Sequence, residues 1–188
     1  MRRALVLALA SATLAPLAAA IPPPLTDEAP RDWTCDAEVR VCAGAETGGD
    51  ASCATSAAGV ANCTWTYGWL TRAWSEGPEA GSEAHAFSAV VESCSSVHGC
   101  AVVQTSAASS GCAWAAVGAC DDGQGPYSGA AERALQMGEC LTLRIALRVE
   151  VDARAEGPLA PLLPDPVEVS YVVAREAGAS TCRVDDGR

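Results

Sequence analysis

The chain has 188 residues, 12 of them basic and 23 acidic, for a formal charge of −11. Such a balance repels nucleic acid and anionic membrane surfaces and excludes both as partners. All the basic residues are arginine and none is lysine; with acidic residues at only 23 of 188, a GC-rich genome accounts for this better than adaptation to salt.

Residues 1–20 read as an export signal. Arg2 and Arg3 supply a positive start, residues 5–17 are apolar but too short for a membrane span, and Ala18, Ala19 and Ala20 are the small residues a signal peptidase requires. Ile21 follows where a lipoprotein would carry cysteine. Cleavage after Ala20 leaves 168 residues with 10 basic and 23 acidic side chains, a formal charge of −13. That length suits a single domain with a real core. Residues 21–32 form a Pro-rich spacer, because Pro22, Pro23, Pro24 and Pro30 fix φ and remove donors.

The folded domain is expected over residues 33–182. Its first strands are expected at 37–42 and 61–74, where β-branched or aromatic residues lie between Gly/Ser/Pro breakers. The second carries Trp65, Tyr67 and Trp69 on one face. Exposed, these rings would form a strip about 7 Å from ring to ring, suited to stacking on sugars or an amphipathic partner, and they are the candidate ligand-binding residues. The competing reading makes this face the core, with Cys63 inward and Thr64 and Thr66 outward. Asn62-Cys63-Thr64 is a formal glycosylation sequon, which makes Asn62 a candidate acceptor in a host that glycosylates.

Strands are next expected at 84–93, 100–106 and 113–119, followed by a solvated turn at 121–125 and a short helix at 128–137 capped by Ser128 and ended by Gly138. His85 and His98, the only histidines, are the candidates for any general base. Residues 95–99, between Cys94 and Cys100, form a fixed loop of the kind an enzyme inhibitor uses. The sharpest signal is at 141–151, where Leu141, Leu143, Ile145, Leu147, Val149 and Val151 alternate with small, polar or charged residues: a half-buried strand. A loop with Gly157, Pro158, Pro161 and Pro164 leads to a partner strand at 167–174. Setting Leu147 opposite Val169 joins the apolar faces and places Arg148 against Glu168; a slip of one residue would reverse every side chain. Residues 183–188 are a polar tail.

Ten cysteines punctuate this pattern: Cys35, Cys42, Cys53, Cys63, Cys94, Cys100, Cys112, Cys120, Cys140 and Cys182. An even number behind an export signal reads as up to five disulfides whose connectivity the spacing leaves open. No C-x-x-C occurs, and the spacing of Cys94, His98 and Cys100 is not a standard zinc set, so no metal or cofactor is expected. The expected fold is therefore all-β: a disulfide-stapled antiparallel sandwich or related barrel with at most one short helix. The expected function is a secreted, non-enzymatic binding, surface or structural module, extracellular or periplasmic, without a membrane anchor, whose partner is an extracellular protein or glycan. Alternatives are a small secreted hydrolase using His85 or His98, and a secreted enzyme inhibitor.

Overall fold

A computed structural model describes residues 31–36, 40–77, 80–115, 118–156, 166–178 and 182. The expected export signal, residues 21–30 of the expected spacer and the expected polar tail lie outside these residues. Eight strands follow one another along the described chain: β1 (Arg31–Cys35), β2 (Val41–Thr55), β3 (Val60–Ser75), β4 (Gly81–Ser95), β5 (Gly99–Trp114), β6 (Ala119–Ala134), β7 (Cys140–Ala155) and β8 (Val167–Gly178). They form two four-stranded sheets, ordered β1-β2-β3-β6 and β5-β4-β7-β8, with every neighbouring pair antiparallel. The sheets face one another with β2 over β7 and β8, and β3 over β4. The chain is thus a disulfide-stapled all-β sandwich.

Alternation along the strands builds the core. On β7, Leu141, Leu143, Ile145, Leu147, Val149 and Val151 are all buried, and Val167, Val169 and Val173 of β8 join them. The opposite layer contributes Val41, Ala43, Ala45 and Ala51 from β2 and Trp65, Tyr67 and Trp69 from β3. The small β2 residues stand beside the large β3 rings within one sheet, and β7 and β8 face β2 across the core. Tyr171 spans the gap, its hydroxyl donating to the Gly49 carbonyl at 3.1 Å.

Tryptophan and glycine are coupled across strands. Trp65 lies opposite Gly129, and a Cβ on that glycine would stand 2.3 Å from the indole. Trp33 opposite Gly44 and Trp114 opposite Gly81 repeat the arrangement. In each pair the ring packs over backbone that carries no side chain, which offsets the weakness glycine brings to a strand.

All ten cysteines pair. Cys35–Cys42, Cys53–Cys63 and Cys94–Cys100 each join residues that face one another across a hairpin. Cys112–Cys120 joins β5 to β6 and so links the two sheets, while Cys140–Cys182 ties the start of β7 to the chain beyond β8. Such pairing belongs to an oxidising compartment. The hairpin bridges enclose short loops, so each restricts the unfolded chain modestly. Replacing Cys94 and Cys100 together by serine is expected to lower the unfolding free energy by about 2 kcal/mol in urea titration.

Several expectations need correction. Residues 128–134 belong to strand β6, not a helix: Ser128 pairs with Thr66, and cross-strand bonding to β3 overrides the local cap and alanine signals. Only Met137 and Gly138, with φ +78 at the glycine, form a turn. Residues 121–125 also lie within β6, and 113–119 is the end of β5, a connection and the start of β6. The strand expected at 100–106 runs on to Trp114. Of the strand expected at 37–42, residues 37–39 lie outside the described residues, and Val41 opens a much longer β2. The β7–β8 pairing is as expected in direction and face but two residues displaced. Leu147 opposes Tyr171, Val149 opposes Val169, and Arg148 reaches Glu168 diagonally at 2.8 Å. A shift of two preserves the faces, so burial alone does not distinguish the two registers.

Candidate functional site

Three turns meet at one end of the sandwich. The β4–β5 turn at 96–98 and the β6–β7 turn at 135–139 are cross-tied: Ser96 N donates to the Cys140 carbonyl at 2.9 Å, and Cys140 N donates to Ser96 Oγ at 2.9 Å. Leu135 N donates to the Gly59 carbonyl at 2.8 Å, which brings in the β2–β3 turn. Ser95 sits beneath. Its hydroxyl accepts from Val97 N at 3.0 Å and His98 N at 3.1 Å, and donates to Glu139. The Cys94–Cys100 bridge closes the base of the β4–β5 turn.

Glu139 is the keystone of this end. Its side chain is buried, yet Gln136 N donates to Oε2 at 2.9 Å and Arg133 Nη2 stands 3.4 Å from Oε1. The Gln136 amide and then the Ser95 hydroxyl hold its carboxyl below the ordinary value of 4.5; burial opposes them, and the charges of Arg133 and His98 add smaller attraction. A depressed folded value means that Glu139 contributes stability above about pH 4.5 and loses it as pH falls through the lower value. Glu139→Gln should therefore flatten the loss of unfolding free energy below pH 4.5 while leaving the protein less stable than wild type at neutral pH, measured by urea unfolding across pH.

This frame holds large apolar side chains out to solvent beside the polar Ser96, His98 and Gln136. Val97 is 55% exposed and Met137 fully exposed, one on each of the two tied turns, and Val102 is 56% exposed near the start of β5. His98 shares the surface, with Nε2 3.5 Å from Gln136 Nε2. Large apolar side chains fixed outward on rigid turns are a feature of contact sites.

Trp65, Tyr67 and Trp69 lie in the core at 4%, 2% and 2% exposure and offer no open stacking face. Trp69 stacks on Phe87 with ring centroids 3.9 Å apart, and Tyr67 on Tyr127 at 5.5 Å. Their polar ends anchor β5: Trp65 Nε1 donates to Gln104 at 2.8 Å, and the Tyr67 hydroxyl meets Ser106 Oγ at 2.8 Å. Asn62 is exposed on the outer side of β3, opposite Glu132.

The two histidines part company. His98 is on the exposed turn, and its neighbours Cys94 and Cys100 are bonded to each other, so neither is a thiolate ligand. His85 is sealed between the sheets, with side-chain exposure of 1%. Its Nδ1 lies 2.8 Å from Glu83 Oε1 and 3.4 Å from Thr71 Oγ1, while Nε2 stands 3.8 Å from Asp122 Oδ2. Ser110 is its partner across β4 and β5. The sequence pointed to His85 without its carboxylate partners: Glu83 stands two residues earlier on the same face of β4, while Asp122 of β6 lies 37 positions further along the chain and is brought in by the packing of the sheets.

No protein-family model matches the chain, and no curated protein matches it. Among the described residues, no helix is long and apolar enough to cross a membrane. The fold and its pairings define a class, a sandwich of two antiparallel sheets stapled by cystines.

Proposed function

We propose that this chain is an exported, non-enzymatic binding module that uses the cross-tied turns at 96–98 and 135–139 as its contact surface. The observation that carries this reading is Val97 and Met137 held outward on two turns joined by backbone and Ser95–Glu139 hydrogen bonds. A surface fixed before contact loses little conformational freedom on binding. The acidic net charge points to an uncharged or basic partner surface, an extracellular protein or a glycan. Cleavage after Ala20 would deliver the module outside the cytoplasm.

The test is retention of the labelled, exported protein on arrayed glycans and on surface proteins of the producing cell. Wild type should be retained on a specific subset, and a Val97→Asp/Met137→Asp variant should lose that retention with an unchanged unfolding curve. Equal retention of the variant would overturn the contact surface. A second reading, a small hydrolase, draws on the Glu83–His85 pair at 2.8 Å. Turnover by wild type that disappears in His85→Asn, in a variant shown to remain folded, would favour it over the binding module.

A further inference from the structure

Open aromatic rings lie on the outer side of the β1-β2-β3-β6 sheet, at the end of β3 away from the cross-tied turns. One register row crosses all four strands there: Trp33 of β1, Gly44 of β2, Arg72 of β3 and Asp121 of β6. Residues directly opposite one another in a sheet share a face. Arg72 is exposed where its neighbours Thr71 and Ala73 are buried, so the row looks away from the core. Trp33 packs over the backbone of Gly44, where any side chain would collide with its ring, yet it remains 40% exposed. Trp74, two residues beyond Arg72 and half-buried, holds its ring centroid 6.1 Å from that of Trp33 with planes 54° apart. Two ring surfaces are thus fixed at an angle on a rigid sheet.

Polar groups border them in balance. The Arg72 guanidinium carbon stands 5.3 Å from the Trp74 centroid, and Arg72 Nε lies 3.1 Å from Asp121 Oδ1, with both side chains exposed. The adjoining row, Arg31, Glu46, Leu70 and Gly123, adds one charge of each sign. The two rows are therefore neutral in a chain of formal charge −11. Glu76, beyond them beside the Cys35–Cys42 bridge, adds a further carboxylate.

We propose that this face binds a neutral pyranose of a glycan, stacked on Trp33 and Trp74 with its hydroxyls on Arg72 and Asp121. Three observations select this occupant. The C–H face of a pyranose is flat and apolar and packs on an indole. Its hydroxyls both donate and accept, which suits a guanidinium beside a carboxylate; a wholly apolar ligand would desolvate that pair without replacing its hydrogen bonds with water. Balanced local charge offers no attraction to a charged ligand, and Glu76 with the acidic chain repels an anionic one. The site is separate from the contact surface proposed at the turns and does not depend on it.

Titration calorimetry with cellohexaose, chitohexaose and mannohexaose should show saturable binding of at least one, and none of hexagalacturonate. The bound sugar should shield tryptophan emission from acrylamide. Trp33→Ala should weaken binding about tenfold with an unchanged urea unfolding curve. Arg72→Lys keeps the charge but loses the planar fork, and should weaken binding while the protein stays folded, which holds the test open if Trp33→Ala proves unstable. Absence of binding to all three neutral probes would overturn the proposal. So would preference for hexagalacturonate, or affinity unchanged in a folded variant of either residue.

Discussion

Trp69→Ala is expected to lower the unfolding free energy by about 3–5 kcal/mol, with a fall in Tm of about 10 °C. The ring is 2% exposed and stacks with two others, Phe87 at 3.9 Å with planes 9° apart and Tyr127 at 5.9 Å with planes 3° apart. Removing it strips contact from both neighbours and opens a cavity bounded by β3, β4 and β6, strands too heavily hydrogen-bonded to collapse inward. Trp69→Phe should cost far less. It keeps a ring in the stack and removes Trp69 Nε1, a buried donor with no hydrogen-bond partner. Urea unfolding followed by far-UV circular dichroism decides the matter. Loss of stability in Trp69→Ala marks the ring as core. Unchanged stability with loss of glycan or protein retention would return Trp65, Tyr67 and Trp69 to the role of an exposed stacking strip.

The same residues show what could be read in the sequence. Period-two alternation on β3 and β7 revealed strands and faces, because an apolar face at that period has to be covered. It did not reveal which side of β3 met the other sheet, since rings at every second position suit a core and a ligand strip equally. Most of β2, beyond Cys42, escaped notice for a related reason. Val41–Thr55 is mostly Ala, Gly, Ser and Thr, so its strand character comes from its neighbours: Gly44 lies under Trp33 and Gly49 against Tyr67. The helix expected at 128–137 failed because alanine and a serine cap are local signals, while the β3 ladder is a long-range one. At the turns, Cys94 and Cys100 announced a fixed loop. The tie from Ser95 to Glu139 spans 44 positions and depends on a crossover between sheets, which no local pattern encodes. The cystine pairing was likewise open in sequence and became definite only with hairpin registers that set Cys53 against Cys63 and Cys94 against Cys100.

His85→Ala is expected to destabilise the protein by about 3–5 kcal/mol, because it leaves the Glu83 carboxylate stranded between the sheets. Glu83 is buried; Oε1 has His85 Nδ1 at 2.8 Å, and Oε2 has no hydrogen-bond partner. With the imidazole gone neither oxygen has its donor, and the neighbouring Cys112–Cys120 bridge ties β5 to β6 too closely for that end of the sandwich to open easily to water. Replacing both members removes the unpartnered polar group along with its partner. Glu83→Leu/His85→Leu should therefore recover much of the loss, and the double-mutant cycle should show strong coupling between the two sites. The pattern separates two roles for His85. A residue kept for packing and polarity gives large single losses with recovery in the apolar pair. A general base requires that an activity found in wild type vanish in the apolar pair even though its stability has returned. The 1% side-chain exposure of His85 and the 3.8 Å separation of Nε2 from Asp122 favour the first outcome, since a substrate would have to part β5 from β6 to reach the ring.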